Sequence, residues 1–209
     1  MSVLSYLPPL FPDPSTVTSQ SRGRVVVAVH GTLSEPAAFR SLARALAARG
    51  VDMRAPAHGR RATAPLDVSA RDVARAITSL PGGVDRVDVV GHSSGALVAL
   101  RALRCDPAAA RRVDRLVGLG AAWRGTDHRS WYRPDWLVRR LAGDSFVELE
   151  DVGEPVIPAG VRVTSIVSDA DTVVPGASAR LGSVIEVSGV AHAALPRLTE
   201  TVLSALDIA

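Results

Sequence analysis

Residues 25–29 read Val-Val-Val-Ala-Val, five apolar side chains in an unbroken row. Successive side chains on a strand point to opposite faces, so a strand with no polar side is buried on both. Such a strand needs a layer above it and a layer below. Further strands are expected at 51–54, 84–90, 115–119, 162–168 and 183–187. Helices are expected at 36–49, 68–80, 94–105 and 195–208. Ser34 is a candidate N-cap of the first helix, and Gly50 a candidate stop. Strands alternating with helices imply right-handed crossovers, hence an α/β fold with a mostly parallel central sheet and helices on both faces.

A chain of 209 residues suits one domain, and 47% hydrophobic content is enough for a core and too much for a disordered chain. Cys105 is the only cysteine, which rules out an intrachain disulfide and a Cys-rich zinc site. No stretch approaches the roughly 20 unbroken apolar residues of a membrane-spanning helix. All 24 basic residues are arginine, and they are scattered along the chain. A net charge of +3 spread in this way leaves no nucleic-acid footprint. Residues 1–23 are interrupted by proline and read as an N-terminal arm ahead of a domain at 24–209. They carry no early positive charge and no small-residue cleavage site, so a cytoplasmic location is expected.

The residues that carry chemistry begin with Gly91-His92-Ser93-Ser94-Gly95, a G-x-S-x-G pattern. The pattern alone is weak, but its setting is specific. It follows an expected strand and precedes an expected helix, as a nucleophile elbow does. The turn is too tight for a Cβ at neighbouring positions, and Gly91 and Gly95 supply the space. Ser93 is then the exposed nucleophile. A serine hydroxyl needs a base, and in this topology the chain order is Ser, acid, His. Only His128 and His192 follow Ser93, and only His192 stands just beyond an expected strand. The acid belongs after the preceding strand, where Asp171 is expected over Asp169 because Val173, Val174 and Pro175 can anchor it. The oxyanion donors expected are the backbone N–H groups of Ser94 and of Thr32, in the loop after the first strand. Leu33, His92, Trp123, Val173 and Val174 are expected to line the substrate pocket. His30 reads as a structural residue holding its loop.

Taken in order, these pieces resemble the α/β-hydrolase superfamily, and within it the small bacterial lipases and esterases. The matching segments are Val29-His30-Gly31-Thr32, the elbow, residues 116–126 ending in Gly125-Thr126, Gly143-Asp144-Ser145-Phe146, residues 171–175 and Gly189-Val190-Ala191-His192. The resemblance implies an α/β-hydrolase fold with a small or absent cap, the triad Ser93, Asp171 and His192, the hole Thr32 and Ser94, and no cofactor. It implies carboxylic-ester hydrolysis through an acyl-enzyme, with a small-molecule ester or lipid as substrate. A thioesterase, an amidase or a silent binding protein on the same fold are the rival readings. Relatives of this branch commonly carry a proline in the segment matching 121–123, and none is present here; many of them are secreted, so the resemblance keeps a secreted location open beside the cytoplasmic one.

Residues 120–160 are too long for an ordinary connection and form an insertion near the site. Trp131, Tyr132 and Trp136 suggest a helix packing its aromatic side on the domain, and Ser145 and Glu148 suggest a capping box. A fixed wall of this kind predicts an open site without a lid.

Overall fold

The valine run forms β1 (Gly23–Val29). One sheet joins it to β2 (Asp52–Arg54), β3 (Val84–His92), β4 (Val113–Leu119), β5 (Arg162–Ser168) and β6 (Ser183–Val187). The computed structural model describes residues 10–126 and 135–209. The order across the sheet is β2-β1-β3-β4-β5-β6, and every neighbouring pair is parallel. The chain therefore leaves β1 first to one side and then to the other. Between β1 and β3 lies the switch point, where open α/β sheets bind ligands at the carboxyl ends of their strands.

Alternation within β1 explains its composition. Val25, Val27 and Val29 enter one core with α3 (Leu66–Thr78), α4 (Ser94–Cys105) and α5 (Pro107–Arg112). Val26 and Ala28 enter the other, with α1 (Arg40–Ala47) and α8 (Thr199–Leu206). Each fully buried side chain of this kind contributes about 1.5–3 kcal/mol.

Several local expectations are corrected. Residues 36–49 are not one helix: a 3-10 turn (Pro36–Phe39) leads into α1, and Glu35, not Ser34, holds the N-cap position. The C-terminal helix is likewise split, because Pro196 sits inside a 3-10 turn (His192–Arg197) ahead of α8. The helix α5 was not anticipated, although Asp106 accepts from the N–H groups of Ala108 and Ala109 and Pro107 follows it. Between β2 and α3, α2 (Gly59–Ala62) is a single turn in which all four residues have positive φ.

In the insertion, α6 (Asp135–Leu141) has no buried residue, and Trp136 is 66% exposed. Its aromatic side is not packed on the domain. His128, Trp131 and Tyr132 lie outside the described residues. Ser145 and Glu148 do not form a capping box on α7 (Asp144–Glu148), whose N-cap is Gly143. The Ser145 hydroxyl donates to the Ala62 carbonyl at 2.6 Å, and Glu148 accepts the N–H of Leu66 at 2.8 Å, capping α3 instead.

The arm is stitched to the edge of the sheet. Thr16 N–H donates to the Met53 carbonyl, while the hydroxyls of Thr16 and Ser15 accept from the N–H groups of Met53 and Ala55.

Candidate active site

At the end of β3 the backbone turns sharply, and Ser93 has φ 55° and ψ −129°. A non-glycine residue in this region costs about 1–3 kcal/mol and persists only where its surroundings enforce it. Here they do. Ser93 N–H donates to the Leu119 carbonyl at 3.0 Å, and its own carbonyl accepts from Ala122 at 3.3 Å. A Cβ on Gly91 would lie 2.5 Å from the Ala96 nitrogen, and one on Gly95 would lie 2.3 Å from the Val29 carbonyl oxygen. Both glycines are therefore required, as expected of the elbow.

The loop after β5 carries Asp171. Its Oδ1 accepts the N–H groups of Val173 and Val174 at 2.9 and 3.0 Å, which fixes the carboxylate. Its Oδ2 lies 2.7 Å from Nδ1 of His192. A carboxylate only accepts, so Nδ1 carries the proton and Nε2 is left as the basic nitrogen. Ser93 and His192 line the same cavity, of about 320 Å³. Asp169 has different work: it accepts the Gly189 N–H at 2.7 Å, tying the β5 loop to the β6 loop, and that bond lowers its pKa.

Three more histidines stand behind this pair, all buried. His92 Nε2 donates to the His192 carbonyl at 3.0 Å, and the two rings are 4.7 Å apart. His58 Nε2 donates to the His30 carbonyl at 3.1 Å, and those rings stack at 4.3 Å. His30 Nδ1 donates to the Gly31 carbonyl, so it does hold its loop. Burial pushes the pKa of His30 down to about 3 and those of His58 and His92 to about 4. All three are neutral at pH 7, and none places a positive charge beside His192.

The proposed oxyanion donors lie close together. Thr32 N–H donates to the Ser94 hydroxyl at 2.9 Å, and the Thr32 hydroxyl is 2.9 Å from the same oxygen. Ser94 opens α4, where the first N–H groups of a helix have no partner within it. Gly31 brings the Thr32 loop against the elbow: a Cβ there would lie 3.0 Å from the Ser93 Cβ. The next residue, Leu33 (φ 60°), is tied to the α2 turn through its N–H on the Arg61 carbonyl.

Of the expected wall residues, Leu33, His92 and Val173 line the cavity. Trp123 does not. It is fully buried in the core, and its indole N–H donates to Ser165 at 2.9 Å. Val174 is also buried, behind Asp171. In both cases the core captures the apolar side chain. The walls missed by sequence reasoning are Ser34, Ala38, Thr126, Phe146, Leu149, Ala193 and Pro196. The first-loop and Ser145-Phe146 segments pointed to that region but not to individual side chains. Among the described residues, no group of three or more His, Cys, Asp or Glu could hold a metal ion.

A model of the alpha/beta hydrolase family matches residues 26–205. The chain belongs to that family. Within it, solved structures share the fold at low identity. A metagenomic carboxyl esterase is 18% identical with a TM-score of 0.69, over 96% of this chain and 80% of its own. The mature form of a Bacillus licheniformis lipase is also 18% identical with a TM-score of 0.69, over 97% of this chain and 96% of its own. Lipase B of Aspergillus fumigatus is 20% identical with a TM-score of 0.66; the match covers 88% of this chain and 52% of that one. No curated protein matches the chain in sequence. None of the described helices is long and apolar enough to cross a membrane.

Proposed function

We propose that this family member is a serine carboxylic-ester hydrolase. The observation that carries the reading is the 2.7 Å bond from His192 Nδ1 to Asp171, which leaves Nε2 as a base in the cavity that Ser93 also lines. Ser93 Oγ attacks the ester carbonyl carbon while His192 takes its proton. The resulting oxyanion is held by Ser94 N–H and by Thr32 N–H, which exchanges its bond to the Ser94 hydroxyl for one to the oxyanion. Collapse expels the alcohol with the proton from His192 and leaves an acyl group on Ser93. Water, deprotonated by His192, then releases the acid and restores the serine. Asp171 keeps the imidazole in one tautomer and stabilises its protonated form.

The cavity favours esters of modest size. Its walls are largely apolar, and those from the insertion belong to Thr126, Phe146 and Leu149, whereas no residue of α6 lines it. Short- to medium-chain acyl groups and an open site follow.

A fluorophosphonate probe tests the reading. Intact-mass analysis should show one adduct, lost in Ser93→Ala, and that variant should lose several orders of magnitude of kcat on p-nitrophenyl butyrate. Retention of more than about a tenth of the activity would remove Ser93 from its role.

A further inference from the structure

The cavity around Ser93 does not end at its own walls. Leu33, Ser34, Ala38, Ala193 and Pro196 line it and also line a second cavity of about 520 Å³ beside it. The far side of that second cavity is strongly basic. Arg40, Arg44, Arg61 and Arg197 line it, and Glu35 is the one acid among its walls. Glu35 is already engaged, accepting the Leu10 N–H at 2.9 Å and standing 3.7 Å from Arg61.

The other three arginines are different. Many arginines of the described residues meet carboxylates, as Arg24 meets Asp88, Arg101 meets Asp67 and Arg180 meets Glu186, while others, such as Arg71, Arg104 and Arg111, have no ion pair among the described residues. Arg40, Arg44 and Arg197 are set apart by lining one cavity beside Ser93. Arg40, Arg44 and Arg197 have no ion pair among the described residues, and Arg40 lies instead over the Phe11 ring at 4.8 Å. Arg40 and Arg44 stand four apart on α1 and share one face, and Arg197 reaches the same cavity from the 3-10 turn after β6. Among the described residues no carboxylate pairs with any of the three, and Glu35, the one acid in the cavity, stands by Arg61. A concave wall lined by one sign of charge focuses the field toward an incoming ion of the other sign.

We propose that this groove is an anion subsite, and that the enzyme's substrates are esters carrying a carboxylate or phosphate group away from the scissile bond. The inference rests on the hydrolase reading above and narrows its substrate class. The shared stretch of Leu33, Ala38 and Pro196 accommodates an apolar spacer between the ester at Ser93 and the anion. The guanidinium groups supply forked donors that match carboxylate and phosphate oxygens. The anion can belong to the acyl side or to the alcohol side of the ester.

Two matched pairs test this. Mono-p-nitrophenyl adipate against p-nitrophenyl hexanoate places a carboxylate on the acyl side. 3-(Phosphonooxy)propyl butyrate against propyl butyrate places a phosphate on the alcohol side. The expected result is a kcat/KM ratio of at least about tenfold in favour of the anionic member of one pair, declining as salt rises toward about 0.5 M. The pair that shows it identifies the side. In the combined variant Arg40→Gln, Arg44→Gln, Arg197→Gln, that ratio should fall toward one. Arg44→Gln with Arg197→Gln, both exposed, should lower it in part should the larger variant fold poorly. Removal of the same charge elsewhere, through Arg71→Gln, Arg104→Gln and Arg111→Gln, should leave the ratio unchanged. Equal kcat/KM within both pairs, or a preference untouched by the groove variants, or one lost equally in the distal variant, overturns the subsite. Absence of both turnover and fluorophosphonate labelling would instead remove the hydrolase reading, and the subsite with it.

Discussion

Gly120, at the end of β4, allows the most direct perturbation of the Asp171–His192 pair. Its φ of +49° is a backbone conformation that glycine adopts freely. A Cβ at this position would lie 2.6 Å from Asp171 Oδ2, 2.6 Å from Leu195 Cδ1 and 3.1 Å from His192 Nδ1. Ordinary contact begins near 3.4 Å, so in Gly120→Ala the carboxylate oxygen is roughly 0.8 Å too close. Leu195 is fully buried and cannot swing away, so the carboxylate and the imidazole must move. A retreat of that size breaks a 2.7 Å hydrogen bond. Misplacement by about 1 Å costs about 10²-fold in rate, and loss of the correct tautomer costs up to about 10⁴. The expected fall in kcat on p-nitrophenyl butyrate therefore lies between those limits. Stability should fall by about 2–4 kcal/mol, from the left-handed alanine and the overpacking, read as a lower midpoint in urea. Gly50→Ala separates the two effects. Gly50 has a similar φ of +67° and nothing within 4 Å of its virtual Cβ, so that variant should lose stability and keep its kcat. A folded Gly120→Ala enzyme within fivefold of the parent kcat would refute the placement of the pair at the reacting centre.

Three other outcomes are expected. Asp171→Asn should lower kcat by about 10⁴, whereas Asp169→Asn should be mild in activity because it weakens the link between the β5 and β6 loops at Gly189 and Ser188 and leaves the bond to His192 in place; the reverse order in a steady-state comparison would reassign the acid. His30, His58 and His92 have folded pKa values of about 3, 4 and 4, below the unfolded 6.5, so the unfolded chain binds more protons between these values. Their contribution is therefore present in full above about pH 6.5 and is lost as pH falls toward 4, by several kcal/mol; urea midpoints that stay flat between pH 7 and pH 5 would contradict it. Hydrolysis of tributyrin should saturate smoothly through its solubility limit, and a rate jump there that Trp136→Ala abolishes would mean that α6 acts as a mobile lid.

Much of this architecture is legible before folding because its signals are local. The valine run of β1, the glycines around Ser93 and the short interval from β6 to His192 each follow from steric rules that hold wherever the residues occur. The chain order of Ser, acid and His then leaves few candidates. Other features depend on partners distant in sequence. Ser145 and Glu148 have the spacing of a local cap, yet Ala62 and Leu66 are the groups they meet. Trp123 sits in a segment that reads as a site wall, but Ser165 offers its indole a buried acceptor and the core takes the ring. Arg60, Arg61 and Ala62 adopt positive φ without a glycine among them, and no single-residue preference announces that. The basic groove is equally silent in sequence, since Arg40, Arg44 and Arg197 converge only once the turn after β6 folds back toward α1.

The arm against β2 has a consequence for self-association. An edge strand with free amides is a template for a strand from another molecule. Here the template is filled from within, and partly by side chains: the hydroxyls of Ser15 and Thr16 stand where the carbonyls of a neighbouring strand would accept. The Ser and Thr content of the arm thus quenches an adhesive border without adding a full seventh strand. Removing residues 1–22 would bare the amides of Met53 and Ala55, and the loss would show as concentration-dependent aggregation rather than as a change at Ser93.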